Sequence, residues 1–241
     1  MTRMTKAALA AASLVALLAA SGCDARTAEA TKPAEAAPAP AAKAEPAPGP
    51  GEPTLDQVRA ATEKYKDIKV ALAEGYVRDP MDLCETADMM GKPKEAGAMG
   101  VHYVNMASAG VTGPPNPRVD GTGINIDFLK PTVLLYEPKQ DGSFELVGVE
   151  NLAFKKAWEA AGNAKPPSYY GVEYDFMADD PATPLDEAHM FEPHYDRHVW
   201  LYRDNPNGVF TSFNPAVSCE FHKGAKGRPP MPGMPAAPAK P

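Results

Sequence analysis

Three of the chain's five histidines, His102, His194 and His198, stand in blocks rich in tyrosine, tryptophan and asparagine. Imidazole is the commonest side-chain ligand for transition metals at neutral pH. With Glu150 as an oxygen ligand, these residues make a three-histidine, one-carboxylate set, which suits zinc or copper(II). Spacing limits that reading. On a helix, His194 and His198 would lie one turn apart and could share an ion. On a continuous strand they would be about 13 Å apart and could not chelate together. Because 198–202 reads as a strand, joint ligation requires a bend at Tyr195-Asp196, next to Pro193, with His102 arriving from a neighbouring strand.

Two other readings of the same residues stay open. The histidines can be core side chains, with Asp196 satisfying His198 and Glu150 satisfying His102 by hydrogen bonds. Alternatively, one histidine paired with Glu150 or Asp196 can act as a general base in a hydrolase-like enzyme. The chain has no G-x-S-x-G, no H-E-x-x-H and no glycine-rich phosphate loop, and neither Ser108 nor Ser212 has a partner that would activate it. No catalytic residue is therefore assigned. His189 and His222 fall in polar, loop-like stretches and read as solvated surface. The tail motif Met231-Pro232-Gly233-Met234, with Met89, Met90 and Met99, offers thioether sulfur of the kind copper(I) favours. It occurs once, as an incidental feature of a proline-rich tail would. Tyrosines 103, 136, 169, 170, 174, 195 and 202 with Trp200 could line a pocket or simply build the core of a sheet.

The blocks Met99-Gly100-Val101-His102-Tyr103-Val104-Asn105, Leu135-Tyr136-Glu137-Pro138, Val147-Gly148-Val149-Glu150 and His194-Tyr195-Asp196-Arg197-His198-Val199-Trp200 form a set with two more. These are Asn205-Pro206-Asn207-Gly208-Val209-Phe210 and the F-N-P-x-V-x-C run Phe213 to Cys219. Together they resemble a family of exported bacterial proteins of unassigned function. The resemblance covers residues 65–220 and leaves out both tails. It implies export and common descent, and it carries no reaction with it.

The three cysteines divide by position. Arg3 and Lys6 precede an uncharged apolar run over 7–20, and Ala20-Ser21-Gly22-Cys23 closes it. That order of parts is a secretory signal, and the run is too short for a comfortable membrane span. The terminal cysteine makes it a lipoprotein signal over 1–22, with Cys23 the acylated (palmitate-type) N-terminus of the mature chain. Ordinary cleavage near Ala20 is the other reading of the same residues. The lipoprotein reading places the protein at the bacterial cell envelope, lipid-anchored and facing the periplasm. Residues 23–53 hold seven prolines between Pro33 and Pro53. They read as a disordered, semi-extended spacer. Cys84 and Cys219 are then an even pair in an oxidising compartment and are expected to form a disulfide closing most of the folded domain, with paired metal or redox thiols as the alternative.

Residues 54–226 form the expected globular domain, and 227–241 a second disordered piece with six prolines. Without its signal the chain carries 22 basic against 31 acidic residues and has no basic run. That balance argues against nucleic-acid partners, so membrane contact would come through the anchor alone. A capping box at Thr54 and Gln57 opens an amphipathic helix over 54–74 whose apolar stripe runs from Leu55 to Leu72. Strands are expected at 101–106, 124–128, 132–136, 144–150, 172–177, 198–202 and 209–213, with 76–93 irregular. Gln140-Asp141-Gly142-Ser143 turns a hairpin, and a short helix is inserted at 152–161. The pattern predicts a single α+β domain, its N-terminal helix packed on a mainly antiparallel sheet.

Overall fold

Thr54 opens the first element. Its hydroxyl accepts from the Gln57 amide, and the Gln57 side chain accepts from the Thr54 amide, so both halves of the capping box are made. The computed structural model describes residues 46–224 except Pro80 and Pro184. The expected signal peptide, Cys23, most of the spacer and the tail at 227–241 lie outside the described residues. The end of the spacer is held on the domain: Glu52 accepts from the Tyr170 amide at 2.7 Å, and the Pro53 carbonyl accepts from the Tyr169 hydroxyl at 2.8 Å.

The expected helix over 54–74 is interrupted. Helix α1 (Leu55–Thr62) tightens into a 3-10 turn (Glu63–Lys66), and α2 (Ile68–Ala73) starts afresh. Two interactions break it, one long-range and one local. The Tyr136 hydroxyl donates to the Tyr65 carbonyl at 2.6 Å, and Asp67 caps α2 by accepting from the Lys69 amide.

The strands are β1 (Tyr76–Arg78), β2 (Cys84–Thr86), β3 (Ala98–Asn105), β4 (Val133–Pro138), β5 (Phe144–Phe154), β6 (Ser168–Tyr169), β7 (Val172–Glu173), β8 (Asp175–Met177) and β9 (His194–Val199). Seven of them form one sheet, ordered β1-β3-β4-β5-β9-β8, with β2 also on β3, and all pairings are antiparallel. β6 and β7 pair separately. With few and short helices beside this sheet, the fold is α+β. Among the described residues, no helix is long and apolar enough to cross a membrane.

Several expected elements shift. Residues 124–128 form no strand, because Asn125 and Asp127 fold back to accept from the backbone amides two residues ahead. β5 runs on to Phe154, so the inserted helix α3 (Lys155–Ala160) begins three residues later than its apolar pattern suggests. The stretch 76–93, read as irregular, contains β1 and β2. Residues 209–213 are not a strand; the Val209 carbonyl accepts from the amide of Trp200, the residue just past β9. β9 itself starts at His194, four residues before the expected 198.

Both faces of the sheet are covered, which is why β3, β4 and β9 are buried along almost their whole length rather than at alternate residues. On one face Val101, Tyr103, Leu134, Tyr136, Val149 and Val199 share a core with Val58, Tyr65 and Ala71 of the helical segment. On the other, Val104, Val133, Leu135 and Trp200 pack with Ala98 and Val217, and Leu152 and Phe154 pack with Val119 and Phe191. The candidate site lies between these two smaller apolar groups.

Cys84 and Cys219 form a disulfide across 135 residues of sequence, with their Cα atoms 5.6 Å apart. It ties the three-residue edge strand β2 to the C-terminal segment. Closing a loop of that size stabilises by roughly 5 kcal/mol through loop-closure entropy. Reduction, or the Cys84→Ser/Cys219→Ser pair, is therefore expected to lower the thermal midpoint by on the order of 10 °C. Calorimetry of oxidised and reduced protein checks this, and equal midpoints would refute it.

Candidate metal centre

Strand register builds the site. Val133 of β4 faces Glu150 of β5, and Glu150 faces His198 of β9, so carboxylate and imidazole are direct cross-strand neighbours. His102 of β3 lies opposite Leu135 and reaches over β4 from the other side. One ligand atom from each of His102, Glu150 and His198 lies within 4.8 Å of the other two. Gly148, beside Leu135, lets Trp200 approach: a Cβ there would meet the Trp200 ring at 3.2 Å and the Val199 carbonyl at 2.9 Å. Trp200 in turn stacks near His198, with ring centroids 6.3 Å apart.

Glu150 Oε2 lies 3.3 Å from His102 Nε2 and 3.4 Å from His198 Nε2. A charge-assisted hydrogen bond would be about 2.7–2.9 Å. Bonds of about 2.0–2.2 Å in a tetrahedral site place neighbouring ligand atoms about 3.3–3.5 Å apart. The observed separations match the second figure. Glu150 Oε2 and both His198 ring nitrogens make no hydrogen bond, although His198 is 1% exposed. Leaving buried polar atoms unpaired is costly, and a shared cation would satisfy them together.

Electrostatics divides the histidines. Burial drives His198 and His194 down to about 4, so both are neutral with lone pairs available. Burial also acts to lower His102, but the charges of Glu85, Glu150 and Asp79 outweigh it and raise His102 to about 10. Burial pushes Glu150 up, but His198, His102 and His189 around it outweigh that and hold its carboxyl below the usual carboxylate range. Burial, with Glu85 nearby, raises Asp79 to about 6, and burial beside Glu150 pushes Asp196 well up.

Not every expected ligand joins the group. His194 shares the face and the void, but β9 does not bend at Tyr195-Asp196, because β5 on one side and β8 on the other pair with both residues. His194 is therefore four strand residues from His198, and its Nδ1 bonds the Glu192 carbonyl at 3.0 Å. Asp196 does not satisfy His198 either, since Asp196 Oδ1 and both His198 nitrogens are unpaired. His189, read as surface, lines the same void with Nδ1 2.5 Å from Glu85 Oε2, and burial opposed by Glu85 leaves it at about 8. The apolar neighbours Ala188, Met190 and Phe191, all buried, were the signal for it. His222 is also tied down, its Nε2 lying 2.8 Å from the Asp82 carbonyl oxygen.

The void is about 30 Å³ and is lined by four carboxylates, Asp79, Glu85, Glu150 and Asp196, and, among the described residues, by no lysine or arginine. It has room for roughly one or two water-sized groups. That space has room for a metal ion. Compared with models of protein families, with curated proteins and with solved structures, the chain matches none.

Burial of neutral His194 predicts an acid sensitivity. The unfolded imidazole titrates near 6.5, whereas the folded one does so at about 4. Between these values the unfolded chain binds a proton that the folded chain refuses, so stability rises with pH through this window and is lost in acid. The stability of wild type minus that of His194→Gln should climb by about 1.4 kcal/mol per pH unit from pH 4 to 6.5. Denaturant titrations at a series of pH values measure it, and a flat difference would show that His194 is not held neutral.

Proposed function

We propose that this protein is a cell-envelope binding module for a single transition-metal ion, zinc or copper(II), held by His102, Glu150 and His198. It would be anchored through lipidated Cys23 at the periplasmic face of a bacterial membrane. The observation that carries the metal reading is the pair of 3.3 and 3.4 Å separations around Glu150 Oε2, tetrahedral in size and not hydrogen bonded. Two imidazoles and a carboxylate suit either ion, which would displace the proton that His102 otherwise carries. The small void supports binding over hydrolysis. The anchor rests on the sequence alone: the apolar run, the closing cysteine and the proline-rich spacer. The resemblance to exported bacterial proteins points to the same place, and the net charge of −7 supports a role without nucleic acid.

Mature protein purified without chelator is expected to carry about one zinc or copper per chain by elemental analysis. His198→Ala should weaken binding by at least 10–100-fold. Copper(II) titration should quench the fluorescence of Trp200, which stacks near His198. A protein that takes up neither ion after reconstitution would overturn the metal reading and leave the histidines as core side chains.

A further inference from the structure

Three protein ligands leave a tetrahedral ion one position short, and structural or carrier sites are usually closed by a fourth. His189 lines the same void. His189 Nδ1 sits 2.5 Å from Glu85 Oε2, while its Nε2 is buried and has no hydrogen-bond partner. The His189 ring lies 6.2 Å from the His102 ring at 85°, and the His198 ring lies 6.0 Å from it at 88°. His102 thus stands between two imidazoles placed in nearly the same relation to it. A metal-bound histidine almost always gives its other nitrogen to a carboxylate, carbonyl or water, which fixes the tautomer and aims the ring. Glu85 is 5% exposed and already lies against Nδ1, so Nε2 is the nitrogen left to bind.

Building on the metal-binding reading above, we propose that His189, oriented by Glu85, is the fourth ligand through Nε2, so that the ion is enclosed by three histidines and one carboxylate. The sequence reading gives a place in the ligand set to His194 instead, on condition of a bend in its strand. His189 does not yet lie within the 4.8 Å that spans the other three ligand atoms. His189 and Met190 both hold left-handed backbone, at φ 52° and 66°, a conformation that non-glycine residues rarely adopt in succession. The turn is anchored on either side, at Phe191 by its amide bond to the Ala188 carbonyl and at Val119 by bonds to Met190 and Glu192. Ligation would draw the His189 ring toward Glu150. The closed set has no place for a bound water and defines a site that holds or hands over an ion.

Cobalt(II), whose visible absorption is intense when four-coordinate and weak when higher-coordinate, is the probe. Mature wild-type protein should bind one cobalt with the intense spectrum. In His189→Ala the intensity should fall and the dissociation constant should rise on the order of 10–100-fold, while His194→Ala leaves both unchanged. Glu85→Gln, which keeps the side-chain volume, should shift the spectrum in the same direction as His189→Ala and serves if that variant does not fold. Unchanged spectrum and affinity in His189→Ala or Glu85→Gln, with binding still lost in His198→Ala, would overturn the fourth ligand alone. No uptake by wild type, or uptake indifferent to His198→Ala, would overturn the metal reading and this inference with it.

Discussion

The antiparallel register of β5 against β9 is the constraint on which the rest depends. It sets Glu150 opposite His198, and the same ladder continues without a break to Phe154 opposite His194. A slip of one residue would turn every side chain of β9 to the other face, bringing Tyr195, Arg197 and Val199 into the void and His198 under the helices. Burial on both faces enforces the register, because Val199 belongs to the core beneath α1 and Trp200 to the one opposite. Charged and apolar requirements agree on one alignment, which is how a sheet tolerates ionisable residues in its middle.

Such a cluster is expensive in an apolar interior. Glu150 and His102 are an ion pair taken out of water, and pairing of this kind is weak support for stability. Its neighbours adjust instead. Two histidines give up their charge, Asp79 and Asp196 titrate upward, and, among the described residues, no lysine or arginine lines the void to neutralise what remains. Strongly shifted groups gathered around one void are what make it the candidate site.

What could be read from the sequence follows from range. The capping box at Thr54, the hairpin around Gly142 and the helix near Trp158 depend on residues a few positions apart, and each appears close to where its pattern lies. The interruption at Tyr65 depends on Tyr136, 71 positions away, and no local pattern carries that. At the site, His102, His198 and Glu150 were legible as chemistry but not as geometry. The distance argument that ruled against His194 and His198 sharing an ion on a straight strand was sound, and the imagined bend at Tyr195-Asp196 was not. His189 was hidden by its surroundings of Asp, Glu and Pro, which read as loop. A loop packed over a void has the same composition as one in water, and only the run Ala188, Met190 and Phe191 marks the difference.

The disulfide bears on when the site is assembled. Glu85 follows Cys84 directly, and the strand that carries them has only three residues, with a bulge between Glu85 and Thr86. Such a strand is too short to hold its place by backbone pairing alone, so the covalent link to Cys219 is what keeps this wall of the void standing. Where thiols stay reduced, the wall is loose and the chain has an unfinished pocket. On the proposed metal reading, oxidation would be a maturation step for the pocket as well as for the fold, and ion capture would wait until the chain had reached a compartment that forms disulfides.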